Sequence, residues 1–282
     1  MKTILIPVDY SFTSSNILKF VSSLSEDVDI ERIILLKTHN VSLYSHFAYT
    51  SEYGQSNAEY ILQERTEVEE QLTSTALDML KKCKIGVKIE TAMSDLPIIR
   101  AINQVVKEQK PDLLILGSDP EGYESPIGEY VIEITQTSLV PVLIIPATSK
   151  YQKAENVLVP CDLKAVSQLA LLQKLHKIQL ILHPELILLN VDPERKYEEN
   201  AEFYEKQLEE QLGSFSYRLF YAEEKNTAKA ILDFARQNED IQLIVALPGK
   251  HSFFYKLTHQ SITEVIALNS NIPVLILKNI HV

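Results

Sequence analysis

The chain has 282 residues, 45% of them hydrophobic, which is enough to bury the cores of two domains of ordinary size. Its formal net charge of −11 argues against nucleic acid or an anionic membrane as the main partner, because both present phosphates that only a basic surface can neutralise. Two cysteines, Cys83 and Cys161, with no signal-peptide pattern and no apolar run long enough to span a membrane, favour a cytoplasmic protein with reduced thiols.

Short apolar runs alternate with amphipathic segments in the first half of the chain. The apolar runs predict strands that are buried on both faces, and the amphipathic segments predict helices. Strands are predicted at residues 3–8, 32–38, 87–91, 112–116 and 140–145. Helices are predicted from Ser11 or Thr13 to about residue 25, and at residues 58–82, 96–108 and 129–138.

The second half repeats this order of strands and helices. Its strands are predicted at residues 156–161, 186–191, 217–221, 241–246 and 272–277, and its helices at 195–212, 227–237 and 261–269. The second copy is shorter, mainly in the connection after its second strand. The repeat predicts one domain over residues 1–149 and another over residues 154–282.

Strands that alternate with helices predict an α/β fold, in which each half forms a five-stranded parallel sheet with helices on both faces. In such sheets a ligand binds beyond the carboxyl ends of the strands, where the strand order reverses. If that point lies between the first and fourth strands, Asp9 faces Gly117 and Asp162 faces Ala246. We therefore expect one candidate ligand site in each half.

Three features of each half resemble tandem universal stress proteins. They are the strand end Pro-Val-Asp at residues 7–9, repeated as Pro-Cys-Asp at 160–162, the loop after the fourth strand, and final strands that begin Pro-Val-Leu. The resemblance covers nearly the whole chain. It implies two Rossmann-like domains of the adenine nucleotide alpha-hydrolase type and a stress-associated regulatory or binding protein that is not an enzyme.

Some members of that family bind ATP through Gly-x-x-Gly, nine further residues and then Gly-Ser or Gly-Thr. In those members the first-strand aspartate contacts the nucleoside, and the glycine loop and the hydroxyl hold the phosphates. In the first half Asp9 and Gly117 match this pattern, but Pro120 replaces the second glycine and Gly128-Glu129 replaces the final pair. The acidic side chains of this loop repel phosphates, so we expect the first half to exclude them.

In the second half Ala246 replaces the first glycine, Gly249 keeps the second, Lys250 follows it, and Gln260-Ser261 aligns with the final pair. Ser261 begins a helix, where free backbone N–H groups attract an anion. The resemblance thus implies a weak site for ATP, another adenine nucleotide or an anion in the second half. The residues assigned to it are Asp162, Val191, Ala246, Gly249, Lys250, Gln260 and Ser261, and those of the first-half site are Asp9, Gly117 and Gly128.

Simpler roles stay open for several of these residues. Asp9 and Asp162 follow strands, where aspartate often stabilises a turn or caps a helix, and Gly117 suits a tight turn. Two other functions also stay open: a nucleotide-hydrolysing or phosphate-transferring enzyme on the same fold, and a protein-interaction scaffold without a ligand. No residue is assigned a catalytic or metal-binding role.

The last strands of the two halves, at residues 140–145 and 272–277, are the most apolar. A last strand leaves an open edge that is prone to association unless it is covered. In universal stress proteins, which this chain resembles, such edges commonly pair across a dimer. We therefore expect these two strands to pair within the chain about a pseudo-two-fold axis, and a homodimer of whole chains is a further expectation.

Overall fold

The computed structural model describes residues 2–39, 54–119, 125–175, 181, 184–194, 201–213, 215–247 and 261–278. The strands in these residues are β1 (Thr3–Pro7), β2 (Arg32–Thr38), β3 (Lys88–Ser94), β4 (Leu113–Ser118), β5 (Val142–Pro146), β6 (Asn156–Cys161), β7 (Glu185–Val191), β8 (Ser216–Ala222), β9 (Leu243–Ala246) and β10 (Val274–Ile276). The α-helices are α1 (Phe12–Asp27), α2 (Gly54–Leu80), α3 (Ile98–Gln109), α4 (Val131–Thr137), α5 (Ala201–Leu212), α6 (Thr227–Gln237) and α7 (Ile262–Asn269). Two stretches form 3₁₀ helix, Gly128–Tyr130 and Leu163–Lys174.

These strands form one sheet in the order β3-β2-β1-β4-β5-β10-β9-β6-β7-β8. Neighbouring strands run parallel except β5 and β10, which are antiparallel. The strand order reverses between β1 and β4 in the first half and between β6 and β9 in the second. The predicted α/β fold with a mostly parallel sheet flanked by helices is confirmed.

Buried side chains form a core on each face of the sheet. Ile4 and Ile6 of β1 belong to one core and Leu5 belongs to the other, because successive side chains of a strand point to opposite faces. Helix α1 covers the first core with Ile17, and α3 covers the second with Ile102. Since fully burying one such side chain contributes about 1.5–3 kcal/mol, strands covered on both faces are apolar throughout.

Strands β5 and β10 join the two halves of the sheet. Their six paired side chains are at most 1% exposed. The pairs are Val142 with Ile276, Leu143 with Leu275, and Ile144 with Val274. This pairing covers the two open edges that the sequence analysis identifies, and the strand order on one side of it repeats on the other.

A hydrogen-bond pair at the amino ends of the strands recurs in both halves. Asp112 Oδ2 accepts from the backbone N–H groups of residues 2 and 3, each at 2.8 Å. Gln242 Oε1 accepts in the same way from residues 155 and 156, at 3.0 and 2.9 Å. Asp112 immediately precedes β4, and Gln242 immediately precedes β9. In each half, therefore, the residue before the fourth strand holds the start of the first strand in place.

The two halves differ in their connections. The segment from the second to the third strand spans residues 39–87 in the first half and only 192–215 in the second, as expected from the sequence. After the first strand, α1 is a regular helix, whereas Leu163–Lys174 is a 3₁₀ helix interrupted at Ala165 (φ −121°, ψ 35°). No element is predicted from the sequence for this second stretch, and its irregular backbone is the physical difference from α1.

Residues 1–149 expressed alone should associate or aggregate. Without β10, the edge of β5 exposes backbone N–H and C=O groups together with apolar side chains. Size-exclusion chromatography with light scattering measures this, with the full chain as the control. Co-expression of residues 150–282 should suppress the association, and a well-behaved monomer of residues 1–149 would contradict the expected role of this edge.

Candidate functional site

A cavity of about 320 Å³ lies at the carboxyl ends of β1 and β2 in the first half. This volume is at the low end for small-molecule sites. The start of α3 and the turn at residues 126–127 close its other side. Its apolar walls come from Val8, Pro97, Ile98, Ile99, Pro126 and Ile127, and Asp9 and Lys37 bring charged groups to it.

The carboxylate of Asp9 is the centre of a hydrogen-bond network. Asp9 Oδ1 accepts from the N–H of Ser11 at 3.0 Å and from its hydroxyl at 2.6 Å. Asp9 Oδ2 accepts from the hydroxyl of Ser125 at 2.8 Å and from the N–H of Ile127 at 3.1 Å. One carboxylate therefore ties the start of α1 to the turn that follows β4.

The hydrogen bonds of Asp9 determine its protonation. Burial alone would raise the pKa of this carboxyl group, but the bonds donated by Ser11, Ile127 and Ser125 outweigh burial and hold the pKa below its usual value of 3.8. Asp9 is therefore ionised at neutral pH. It is a weak base whose acceptor positions already have donors.

Lys37 stands beside Asp9 at the end of β2. Its Nζ lies 4.7 Å from the centre of the Tyr10 ring, within the range of a cation–π contact. Burial lowers the pKa of Lys37, and the charge of Asp9 only partly opposes this. Tyr10 has a left-handed backbone (φ 64°), which is unusual for a bulky residue, and its hydroxyl is buried without a partner in the described part of the chain.

The structure brings the three first-half site residues together. Gly117 lies inside β4, the neighbour of β1, and Asp9 follows β1. The N–H of Gly128 donates to Ser125 Oγ at 3.0 Å, and Ser125 in turn donates to Asp9. The tight-turn role considered for Gly117 is wrong, because the residue is a buried strand residue.

Gly117 is needed because α1 passes very close to β4. A Cβ atom at this position would lie 2.2 Å from Thr13 Cγ2 and 3.0 Å from Ile17 Cδ1, well inside contact distance. The glycine therefore allows close packing of a helix on the strand. The acidic Glu129 is exposed at the start of the next helical segment, and Pro120 and the acidic residues 121 and 124 lie outside the described residues.

In the second half, Asp162, Val191 and Ala246 come together at one edge of the sheet. Asp162 follows β6, and Val191 and Ala246 end β7 and β9, the two strands that flank β6. Beside them, burial and then the charge of Asp162 raise the pKa of the Cys161 thiol to about 12, so this thiol is protonated and unreactive at neutral pH. Gly249, Lys250 and Gln260 lie outside the described residues.

Ser261 caps α7 in a closed capping box. Its hydroxyl accepts from the N–H of Glu264 at 3.2 Å, and the Glu264 carboxylate accepts from the N–H of Ser261 at 3.1 Å. Glu264 also accepts from Gln136 Nε2 at 2.7 Å, which links α7 to α4. Two of the N–H groups expected to attract an anion are therefore already bonded, and a carboxylate lies beside them.

Sequence reasoning missed most of the partners of Asp9. Ser11 is predicted as a helix cap and does accept from the N–H of Ser14 at 3.1 Å, but its bonds to Asp9 are additional. Ser125 lies in a loop without a motif that would single it out. Lys37 could have been found, because a lysine at the carboxyl end of a buried strand faces the edge where ligands bind.

No group of three or more His, Cys, Asp or Glu side chains in the described residues could hold a metal ion. None of the helices described is long and apolar enough to cross a membrane.

The fold of this chain is similar to that of several solved structures. A universal stress protein from Archaeoglobus fulgidus DSM 4304 superposes with a TM-score of 0.69 at 18% identity, over 98% of each chain. A putative universal stress protein from Pseudomonas aeruginosa UCBPP-PA14 reaches 0.55 at 13% identity, over 99% of this chain and 93% of the other. The cytoplasmic domain of a prokaryotic cation chloride cotransporter superposes with a TM-score of 0.51 at 13% identity, over 97% of this chain and 94% of the other.

These structural likenesses show a shared fold. A search of curated protein sequences finds no match. The sequence profile of the universal stress protein family matches residues 1–146, just over half of the 282-residue chain. The chain therefore belongs to the universal stress protein family.

Proposed function

We propose that this member of the family is a stress-associated regulatory protein that binds a small ligand without converting it. The observation that carries the proposal is the cavity beside Asp9, at the carboxyl ends of β1 and β2 and next to the strand-order reversal between β1 and β4, where open α/β sheets bind ligands. The cavity has apolar walls and a half-buried lysine, which are the usual components of a small-molecule site.

Binding without turnover fits the chemistry of Asp9. A general base has to be poised near neutral pH, whereas the pKa of Asp9 lies below its ordinary value. Its oxygens accept four hydrogen bonds from the chain itself. The carboxylate is therefore suited to holding the turn at residues 125–127 in place, and it is a poor proton acceptor.

Native mass spectrometry of the purified full chain tests this proposal. We expect a bound small molecule whose mass is unchanged after prolonged incubation. Metal-dependent hydrolysis of ATP would instead support the enzyme alternative. The complete absence of any bound or bindable small molecule would support the interaction scaffold.

A weak adenine nucleotide or anion site in the second half is a second candidate. It is favoured by the common edge of Asp162, Val191 and Ala246, which occupies the same place in its half as the Asp9 edge does in the first. The sequence adds Lys250, a positive charge four residues after the end of β9. The closed capping box at Ser261 opposes a strong anion site, which agrees with modest affinity.

ATP should bind the full chain with a dissociation constant of about 10–100 μM if the second half holds it. Lys250→Ala should weaken binding by roughly 1–2 kcal/mol, because a charge-assisted contact to phosphate is lost. Lys250→Glu should weaken it further, and Asp162→Ala should alter the preference for adenosine compounds over free phosphate. Isothermal titration measures all four proteins, and equal affinity of wild type and Lys250→Glu would show that the phosphates are held elsewhere.

The assembly that we propose follows from the sheet. The two halves act as an intramolecular pseudo-dimer, in which β5 and β10 pair. Among the described strands, the edges that remain are those of β3 and β8 at the ends of the sheet. A homodimer of whole chains would use surfaces other than the β5–β10 pair, and light scattering of the full chain tests for it.

A further inference from the structure

The two charged groups at the Asp9 cavity, the Asp9 carboxylate and the Lys37 ammonium, differ in the hydrogen bonds that they make. The Asp9 carboxylate accepts four hydrogen bonds from its own chain, so its acceptor positions are occupied. Lys37 Nζ lies 4.7 Å from the centre of the Tyr10 ring, and the charge of Asp9 attracts it. No hydrogen bond or ion pair to the Lys37 ammonium is found among the described residues, and the half-buried Lys37 is one of the residues that line the cavity.

A partly desolvated ammonium without a hydrogen-bonded anion is costly to keep. It gains most from an oxygen anion, because such hydrogen bonds are short and charge-assisted. The backbone strain at Tyr10 adds a second sign of function, since left-handed non-glycine residues cluster at ligand sites. The strained turn holds the Tyr10 ring against Lys37 and so helps to keep the ammonium at the cavity.

The walls restrict the rest of the ligand. Pro97, Ile98, Ile99, Pro126 and Ile127 give an apolar lining, and about 320 Å³ accommodates one small molecule. Lys37 is the one cationic side chain among the described residues that line the cavity. The ionised Asp9 nearby disfavours a doubly charged phosphate more than a single negative charge.

We propose that this cavity binds a small organic monocarboxylate, with its carboxylate group on Lys37 and its apolar body against the isoleucine and proline walls. The inference rests on the proposed small-ligand function and names the chemical class of the ligand in the first half. It makes Lys37 the residue that determines specificity.

Benzoate and benzamide are matched probes, because they share shape and differ in charge. Isothermal titration of the full chain should show that benzoate binds at least about tenfold more tightly than benzamide and than inorganic phosphate. Lys37→Met should lower benzoate affinity at least about tenfold, and Lys37→Arg should keep most of it. Lys88→Met is the control, since Lys88 is an exposed lysine at the opposite end of the neighbouring strand β3, and it should bind like wild type.

A role of Lys37 only in stabilising the Tyr10 turn predicts a different pattern. Lys37→Met would then lower the melting temperature, and no probe would distinguish it from wild type in binding. Equal binding of benzoate and benzamide, or preferential binding of inorganic phosphate, would show that the class of ligand is wrong. If native mass spectrometry still finds a bound small molecule in those cases, the proposed function stands and this inference fails; if nothing binds, both fail.

Discussion

Asp9→Ala should destabilise the folded protein by about 2–4 kcal/mol, because four donors lose a charged acceptor at a partly buried site. For a chain of this size, the melting temperature should fall by roughly 5–12 °C. The loss is large because one side chain joins two segments, the start of α1 and the turn at residues 125–127. Thermal unfolding followed by circular dichroism measures the change.

Asp119→Ala is the matched control for Asp9→Ala. Asp119 follows β4 at the same edge of the sheet, and its buried Oδ1 has no hydrogen-bond partner among the described residues. Removing it should change stability by less than about 1 kcal/mol. If the two substitutions had equal effects, the network around Asp9 would not be the source of the stabilisation.

The effect of Asp9 should also depend on pH in a defined direction. The folded-state pKa is lowered from 3.8, so the carboxylate stabilises the fold fully above about pH 4. This contribution is lost as the pH falls through the lowered folded-state pKa. The difference in melting temperature between wild type and Asp9→Asn should therefore stay constant near neutral pH and shrink below about pH 4; a difference that grows in acid would contradict this assignment.

The fold could be predicted largely from the sequence, because its signals are local and occur twice. Buried parallel strands need apolar residues on both faces, so β1 and β6 both appear as short apolar runs that end before an aspartate. The pairing of β5 with β10 could be expected because each is the apolar last strand of its half and would otherwise leave an open edge. The 3₁₀ stretch Leu163–Lys174 was not assigned, and it has a non-helical residue at Ala165.

The site was harder to predict, because its contacts are long-range. The position of Asp9 follows from the strand pattern, but its bonds to Ser125 and Ile127 link residues more than a hundred positions apart. The anion role expected for Ser261 rested on helix-terminal N–H groups, and the structure gives two of these groups partners within the Ser261–Glu264 capping box. The sequence predicts Gly117 just after the fourth strand, whereas the structure places it inside β4, and its packing role depends on how closely α1 approaches.

Gly117→Ala should destabilise the protein by about 1–3 kcal/mol, and Gly117→Val by more. The added Cβ would lie 2.2 Å from Thr13 Cγ2, so α1 has to move away from β4 or the side chains have to leave their preferred rotamers. Chemical denaturation monitored by circular dichroism measures the loss. Gly117→Asn distinguishes packing from turn formation. Asparagine is tolerated in left-handed turns, so a turn role predicts a small loss of stability, whereas a packing role predicts a large loss because a polar side chain is added to a buried strand.

Thr13→Ser provides the matched rescue, because it removes the Cγ2 atom that the new Cβ would meet and keeps the hydroxyl. Alone, it should cost about 1 kcal/mol for the lost methyl contacts. In the double variant Thr13→Ser with Gly117→Ala, at least half of the loss caused by Gly117→Ala should be recovered, since residues in contact are energetically coupled. Ile17 Cδ1, at 3.0 Å from the same point, limits the recovery to a partial one. Strictly additive effects of the two substitutions would mean that contact between α1 and β4 is not the reason for a glycine at position 117.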